Sequence, residues 1–103
     1  MKTEILAIFT CQGLTKEKYE QLRKEVVWET NQPKGGIFHA ASFDQSGNAH
    51  VADVWESQET MGAFVEGRLM PAMKKLNIQP PKVEVYPVHN VNAYKAISEH
   101  ILK

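Results

Sequence analysis

Residues 36–56 read GIFHAASFDQSGNAHVADVWE, in which two strand-like runs, GIFHAASF and HVADVWE, flank the turn-rich DQSGN. Asp44 and Asn48 are residues that bond their own backbone, and Gly47 supplies the positive φ that tight turns need. Side chains alternate between the faces of a strand, so parity sorts the residues. Ile37, His39, Ala41 and Phe43 share one face of the first run, opposite Phe38, Ala40 and Ser42. Val51, Asp53 and Trp55 share one face of the second, opposite His50, Ala52 and Val54. If the turn pairs Phe43 with Ala49, His39 falls opposite Asp53 and Ile37 opposite Trp55. A slip of one residue would send His39 and Asp53 to different faces. The first register leaves Phe38, Ala40, Ala52 and Val54 as a wholly apolar face, expected to lie under helices. His39, Asp53 and Trp55 are then expected on the other face, toward a subunit interface.

Outward from the hairpin, Glu4 to Thr10 is apolar at nearly every position and reads as a first strand that must be covered on both faces. Thr15 is an N-cap candidate for a first helix, with Glu17 in the first turn and Leu14 and Tyr19 placed as a hydrophobic staple. Tyr19, Leu22 and Val26 form its apolar stripe. The breakers Asn31-Gln32-Pro33-Lys34-Gly35-Gly36 end it. Ser57 caps a second helix whose buried face runs from Met61 to Leu76, and Pro71 predicts a kink or break near Gly67 to Met70. Pro80-Pro81 leads into a last strand, Lys82 to Val88, which Pro87 confines to a sheet edge. The order is β-α-β-β-α-β, a ferredoxin-like α+β fold: a four-stranded antiparallel sheet with two helices on one face. Residues 1–88 make this domain. Residues 89–103 form a C-terminal extension in which Val91, Tyr94, Ile97 and Ile101 have the spacing of a short helix.

Two helices cover one face of such a sheet, yet the first strand is apolar on both. The uncovered face therefore predicts a homodimer. The chain of 103 residues carries twelve basic and twelve acidic residues, a net charge of zero that removes the electrostatic basis for binding nucleic acid or an anionic membrane. No segment approaches the ~20 apolar residues of a membrane helix. MKTEILAIFT reads as a strand and not as a signal peptide. With Cys11 as the one cysteine, no intrachain disulfide can form, and a reducing cytoplasm is the expected setting.

The candidate chemistry lies in the hairpin. An imidazole beside a carboxylate can hold and move a proton, so His39 is the candidate proton carrier and Asp53 its orienter. Trp55 would form a flat pocket wall. Phe43, which shares their face, and Tyr86, whose hydroxyl can reach in from the last strand, complete the candidate ligand contacts. The same residues also suit a buried polar pair that fixes the sheet or the dimer. Arg68 interrupts the second helix's apolar face and reads as a snorkelling arginine. Cys11 has no charged activator beside it in the sequence and reads as a buried thiol. His50, His89 and His100 show no metal-ligand spacing. No phosphate loop, dinucleotide fingerprint or nucleophile elbow is present, so neither metal nor organic cofactor is expected.

Gly36-Ile37-Phe38-His39-Ala40-Ala41 followed by Asp53-Val54-Trp55-Glu56-Ser57, with Phe64, Arg68, Leu69 and Pro71 behind them, resembles the dimeric α+β barrel superfamily, in particular its antibiotic biosynthesis monooxygenase-like members. The resemblance spans about Glu4 to Val88. It implies a homodimer with facing sheets and a pocket within the barrel or between sheet and helices. It also implies a choice among cofactor-independent oxidation of aromatic molecules, isomerisation and ligand binding alone. The haem-degrading branch is a poor match, because the first strand lacks its asparagine and His39 lies on a strand.

Overall fold

A computed structural model describes residues 3–102. Strands β1 (Ile5–Cys11), β2 (Gly36–Phe43), β3 (Ala49–Trp55) and β4 (Lys82–Pro87) form one antiparallel sheet in the order β2-β3-β1-β4. Helix α1 (Lys16–Val26) connects β1 to β2. A second helical rod joins β3 to β4: α2 (Gln58–Phe64), a π-helical turn (Val65–Leu69) and α3 (Met70–Lys75). This is the ferredoxin-like α+β arrangement expected from the sequence.

The β2–β3 turn sets the register. One carboxylate oxygen of Asp44 accepts the backbone N–H groups of Ser46 and Asn48 at 2.9 and 3.0 Å, and Gly47 takes φ +83°. Phe43 therefore pairs with Ala49, and His39 with Asp53, as parity predicts. The far end differs. A bulge between Gly36 and Phe38 brings Gly36, not Ile37, opposite Trp55. An extra residue on an edge strand costs one pairing and turns the strand sharply, here at the loop that enters it.

The faces are the reverse of the expectation. Ile5, Ala7, Phe9 and Cys11 form the buried row of β1, and their partners on β3 are Trp55, Asp53, Val51 and Ala49. The helices cover this row, with Tyr19, Leu22 and Val26 from α1 and Met61, Ala72 and Met73 from the second rod all buried. His39, Asp53 and Trp55 thus lie under the helices. Phe38, Ala40, Ala52 and Val54 lie on the open face with the half-buried Leu6 and Ile8. Bulk explains the choice: Trp55, Phe9 and Phe43 fill the depth between sheet and helices, which two alanines leave empty. Asp53 is tolerated there because it is hydrogen-bonded.

Helix α1 starts as expected, with the Thr15 hydroxyl accepting the Lys18 N–H at 3.3 Å. It stops earlier than its breakers suggest. Val27 adopts the left-handed conformation (φ 53°, ψ 47°) and donates its N–H to the Arg23 carbonyl at 2.8 Å, closing an αL cap. The usual residue there is glycine, and a β-branched side chain is strained in it. Pro71 disturbs the second rod in the region the sequence indicates. The α-helix gives way to a wider π turn, Val65–Leu69, immediately before Pro71, which accommodates a ring that would clash with the Gly67 carbonyl. Beyond β4 the chain passes the open face near Leu6, Phe38 and Val54, then forms a 3-10 turn, Lys95–Glu99.

Val27→Gly removes the strain without removing a buried side chain. It is expected to raise unfolding free energy by about 0.5–1 kcal/mol, seen as a higher denaturant midpoint at unchanged slope.

Candidate functional site

Strands β2 and β3 hold His39 and Asp53 side by side, and α1 closes over them. The result is a continuous hydrogen-bonded chain. The Trp55 indole N–H donates to Oδ2 of Asp53 at 3.2 Å, Oδ1 of Asp53 meets Nδ1 of His39 at 2.7 Å, and Nε2 of His39 meets the Tyr19 hydroxyl at 2.8 Å. Asp53 and Trp55 are buried, whereas the His39 side chain keeps 34% of its surface exposed. An ionised Asp53 can only accept, so it holds the proton of His39 on Nδ1 and directs the Nε2 lone pair at Tyr19.

Aromatic rings enclose the outer end. Trp28 stands 5.2 Å from the His39 ring and 5.7 Å from that of Tyr19, centroid to centroid. Phe43 meets Tyr19 edge-on at 5.6 Å. Outside them Arg23 binds both Glu20 and Glu29, at 2.7 and 2.6 Å. Burial, followed by the negative charges of Glu29 and Glu20, drives the Tyr19 hydroxyl's pKa well above its ordinary value. Tyr19 therefore keeps its proton. Burial, and secondarily Asp53, pushes the Cys11 thiol up to about 11, which makes it inert, as expected of a buried cysteine.

The residues singled out in the sequence fare differently. His39 and Asp53 meet as expected. Phe43 flanks them through Tyr19. Trp55 is no pocket wall: it is 4% exposed, packs on Phe64 at 5.4 Å and uses its N–H to hold Asp53. Tyr86 is paired with Leu6 on the open face, and its hydroxyl donates to Glu84 at 2.9 Å, so the sheet separates it from His39. Arg68 is not a free surface arginine; it bonds the carbonyls of Val26 and Asn31 at 2.8 and 2.7 Å. Tyr19 and Trp28 were not legible as site residues. Tyr19 was legible only as a member of an apolar stripe, although a hydroxyl at a buried position demands a partner. Among the described residues, no three His, Cys, Asp or Glu side chains converge as a metal site.

No protein-family model matches the chain. No curated protein matches it. Solved structures do. A conserved protein from Methanosarcina mazei Go1 superposes with a TM-score of 0.63 at 13% identity, over 82% of this chain and 92% of the other. SnoaB, a cofactor-independent oxygenase from Streptomyces nogalater, gives 0.61 at 15% identity, over 86% and 96%. A candidate antibiotic biosynthesis monooxygenase from Chloroflexus aurantiacus J-10-fl gives 0.63 at 13%, over 88% and 98%. The fold is thus that of the antibiotic biosynthesis monooxygenase-like α+β proteins, as the hairpin's resemblance implied. At these identities the likeness is one of fold.

Cys11 and Tyr19 are both neutral when protonated, and both have folded pKa values above their unfolded ones. The unfolded chain then releases its protons first, and stability falls as pH rises above about 9, continuing to about 11 for the thiol. Urea midpoints measured between pH 7 and 11 should show this decline, and Cys11→Ala should make it shallower.

Proposed function

We propose that the chain is a homodimeric, cytoplasmic enzyme that takes a proton from a small, largely apolar, aromatic molecule and so prepares it for cofactor-independent oxidation or isomerisation. The observation that carries this reading is the chain Trp55–Asp53–His39–Tyr19, a buried carboxylate orienting an imidazole whose far nitrogen faces the rim. The oxygenase named among the structural neighbours supports the reaction class.

His39 is the proton carrier. A substrate O–H or C–H can reach Nε2 by displacing the Tyr19 hydroxyl. It can also hand its proton to the Tyr19 oxygen while Tyr19 gives its own to Nε2. The two transfers of the second route occur together, because burial and neighbouring carboxylates disfavour a free phenolate. Asp53 stabilises the imidazolium that results. The electron pair stays on the substrate, which becomes electron-rich enough to reduce dioxygen from solution. For an anthrone-like CH2 group, one oxygen atom becomes the carbonyl and the other leaves as water with both hydrogens. In an isomerisation the proton would return to a different carbon.

The dimer is supported by the open sheet face. Leu6, Ile8, Phe38, Ala40 and Ala52 present an apolar surface there, with Phe38 40% exposed. Such a surface on a sheet of this kind calls for a second layer. Sedimentation at micromolar concentration should give a dimer. A monomer at that concentration would count against it, and Phe38→Lys should shift a dimer toward monomer.

One observation favours a second reading. Every polar atom in the chain from Trp55 to Tyr19 already has a partner, as a purely structural network would. In that case His39, Asp53 and Trp55 stabilise a non-catalytic ligand-binding or stress-related dimer. Oxygen uptake with anthrone- and quinol-like substrates separates the two. The proposed enzyme consumes oxygen, and His39→Ala lowers the rate by at least about 100-fold while the dimer persists. No uptake across the panel, or loss of the dimer in His39→Ala, would favour the structural role.

A further inference from the structure

The turn Val27–Asn31 lies between α1 and the loop that enters β2, and it carries Trp28 against His39. Three features define it. Asn31 donates its N–H to the Val27 carbonyl at 2.8 Å, and Val27 is kept in a left-handed conformation that its side chain resists. The third is remote in sequence: the Arg68 guanidinium bonds the carbonyls of Val26 and Asn31, one at each end of the turn. Arg68 comes from the π-helical segment and lies 5.1 Å from the Phe64 ring, whose other neighbour is Trp55. Both bonds come from one terminal guanidinium nitrogen, whose two N–H groups are fixed in the guanidinium plane where the donors of an ammonium rotate freely.

We infer that Arg68 is a positioning residue, a latch that clamps both ends of the Val27–Asn31 turn and thereby holds Trp28 as a cover over Nε2 of His39. With the latch closed, Tyr19 holds that nitrogen and the Trp28 ring packs against the imidazole, so a molecule arriving at the exposed part of the ring reaches Nε2 more readily when the turn moves. The strain at Val27 favours that movement, and the two Arg68 bonds oppose it. Strained backbone persists only where its surroundings hold it. The inference goes beyond the proton-transfer reading and is measured by access to His39, so it can fail or hold apart from any turnover.

The probe is diethyl pyrocarbonate at neutral pH, with the carbethoxylation rate of each histidine followed by peptide mass spectrometry. Arg68→Ala is expected to raise the rate at His39 about tenfold, the factor that follows from losing one or two net hydrogen bonds that oppose opening. The exposed His89 and His100 should be unchanged, and Arg68→Lys should lie between. In protein labelled with 5-fluorotryptophan, the 19F line of Trp28 should shift or broaden while that of Trp55 stays in place. An unchanged His39 rate in a folded Arg68→Ala protein would overturn the latch. So would equal changes at every histidine, or a Trp55 line that moves with that of Trp28, since either means general loosening. Should Arg68→Ala fail to fold, Arg68→Lys and Trp28→Ala decide. The latch requires a faster His39 reaction in both, and a wild-type rate in Trp28→Ala overturns the cover.

Discussion

The register of the β2–β3 hairpin is the constraint on which the rest depends. One carboxylate, Asp44, ties two backbone N–H groups inside the turn, and this fixes Phe43 opposite Ala49. Everything downstream follows by counting in twos. Asp53 stands beside His39 and not on the reverse of the sheet, and β3 presents Ala49, Val51, Asp53 and Trp55 to the helices as one row. A shift of one residue would expose Trp55 and Val51 and bury His50, so hydrophobic burial and turn chemistry enforce the same answer.

Within that row a carboxylate is buried with no lysine or arginine paired to it among the described residues. It is held instead by an indole N–H on one oxygen and an imidazole N–H on the other. A buried polar group of this kind is tolerated when its partners are in place and costly when one is removed. Trp55 therefore does two things at once: its rings fill the core against Phe64, and its N–H orients the group that orients His39. The imidazole, at the edge strand, is the point where this internal network meets the surface.

The second helical rod reaches the same place from the other side. The π turn before Pro71 accommodates a residue that an α-helix does not, and it carries Arg68. That residue caps the end of α1 across 42 residues of sequence. The two connections of the fold are thus joined at the turn that bears Trp28. Two local backbone irregularities, a left-handed valine and a π turn, lie beside the candidate site, while the N-caps Thr15 and Ser57 and the central strands follow ordinary rules.

By itself the sequence determined the element order, the helix starts at Thr15 and Ser57, the hairpin register and the meeting of His39 with Asp53. These are local or pairwise matters, settled by capping oxygens, turn residues and the period of two. The tertiary structure alone decided which face the helices cover, because that rests on how much bulk fits between the layers, and apolar counting favoured the alanine-rich side. It also decided that Trp55 is buried, that Tyr86 lies across the sheet, and that Tyr19 and Trp28 belong with His39. Tyr19 reads as core in any helical projection; only the packing of α1 onto β2 gives its hydroxyl an imidazole to meet. Arg68 found its partners for the same reason. Backbone carbonyls at a helix end leave no mark on side-chain pattern, and the pairing exists only once two distant helices are side by side.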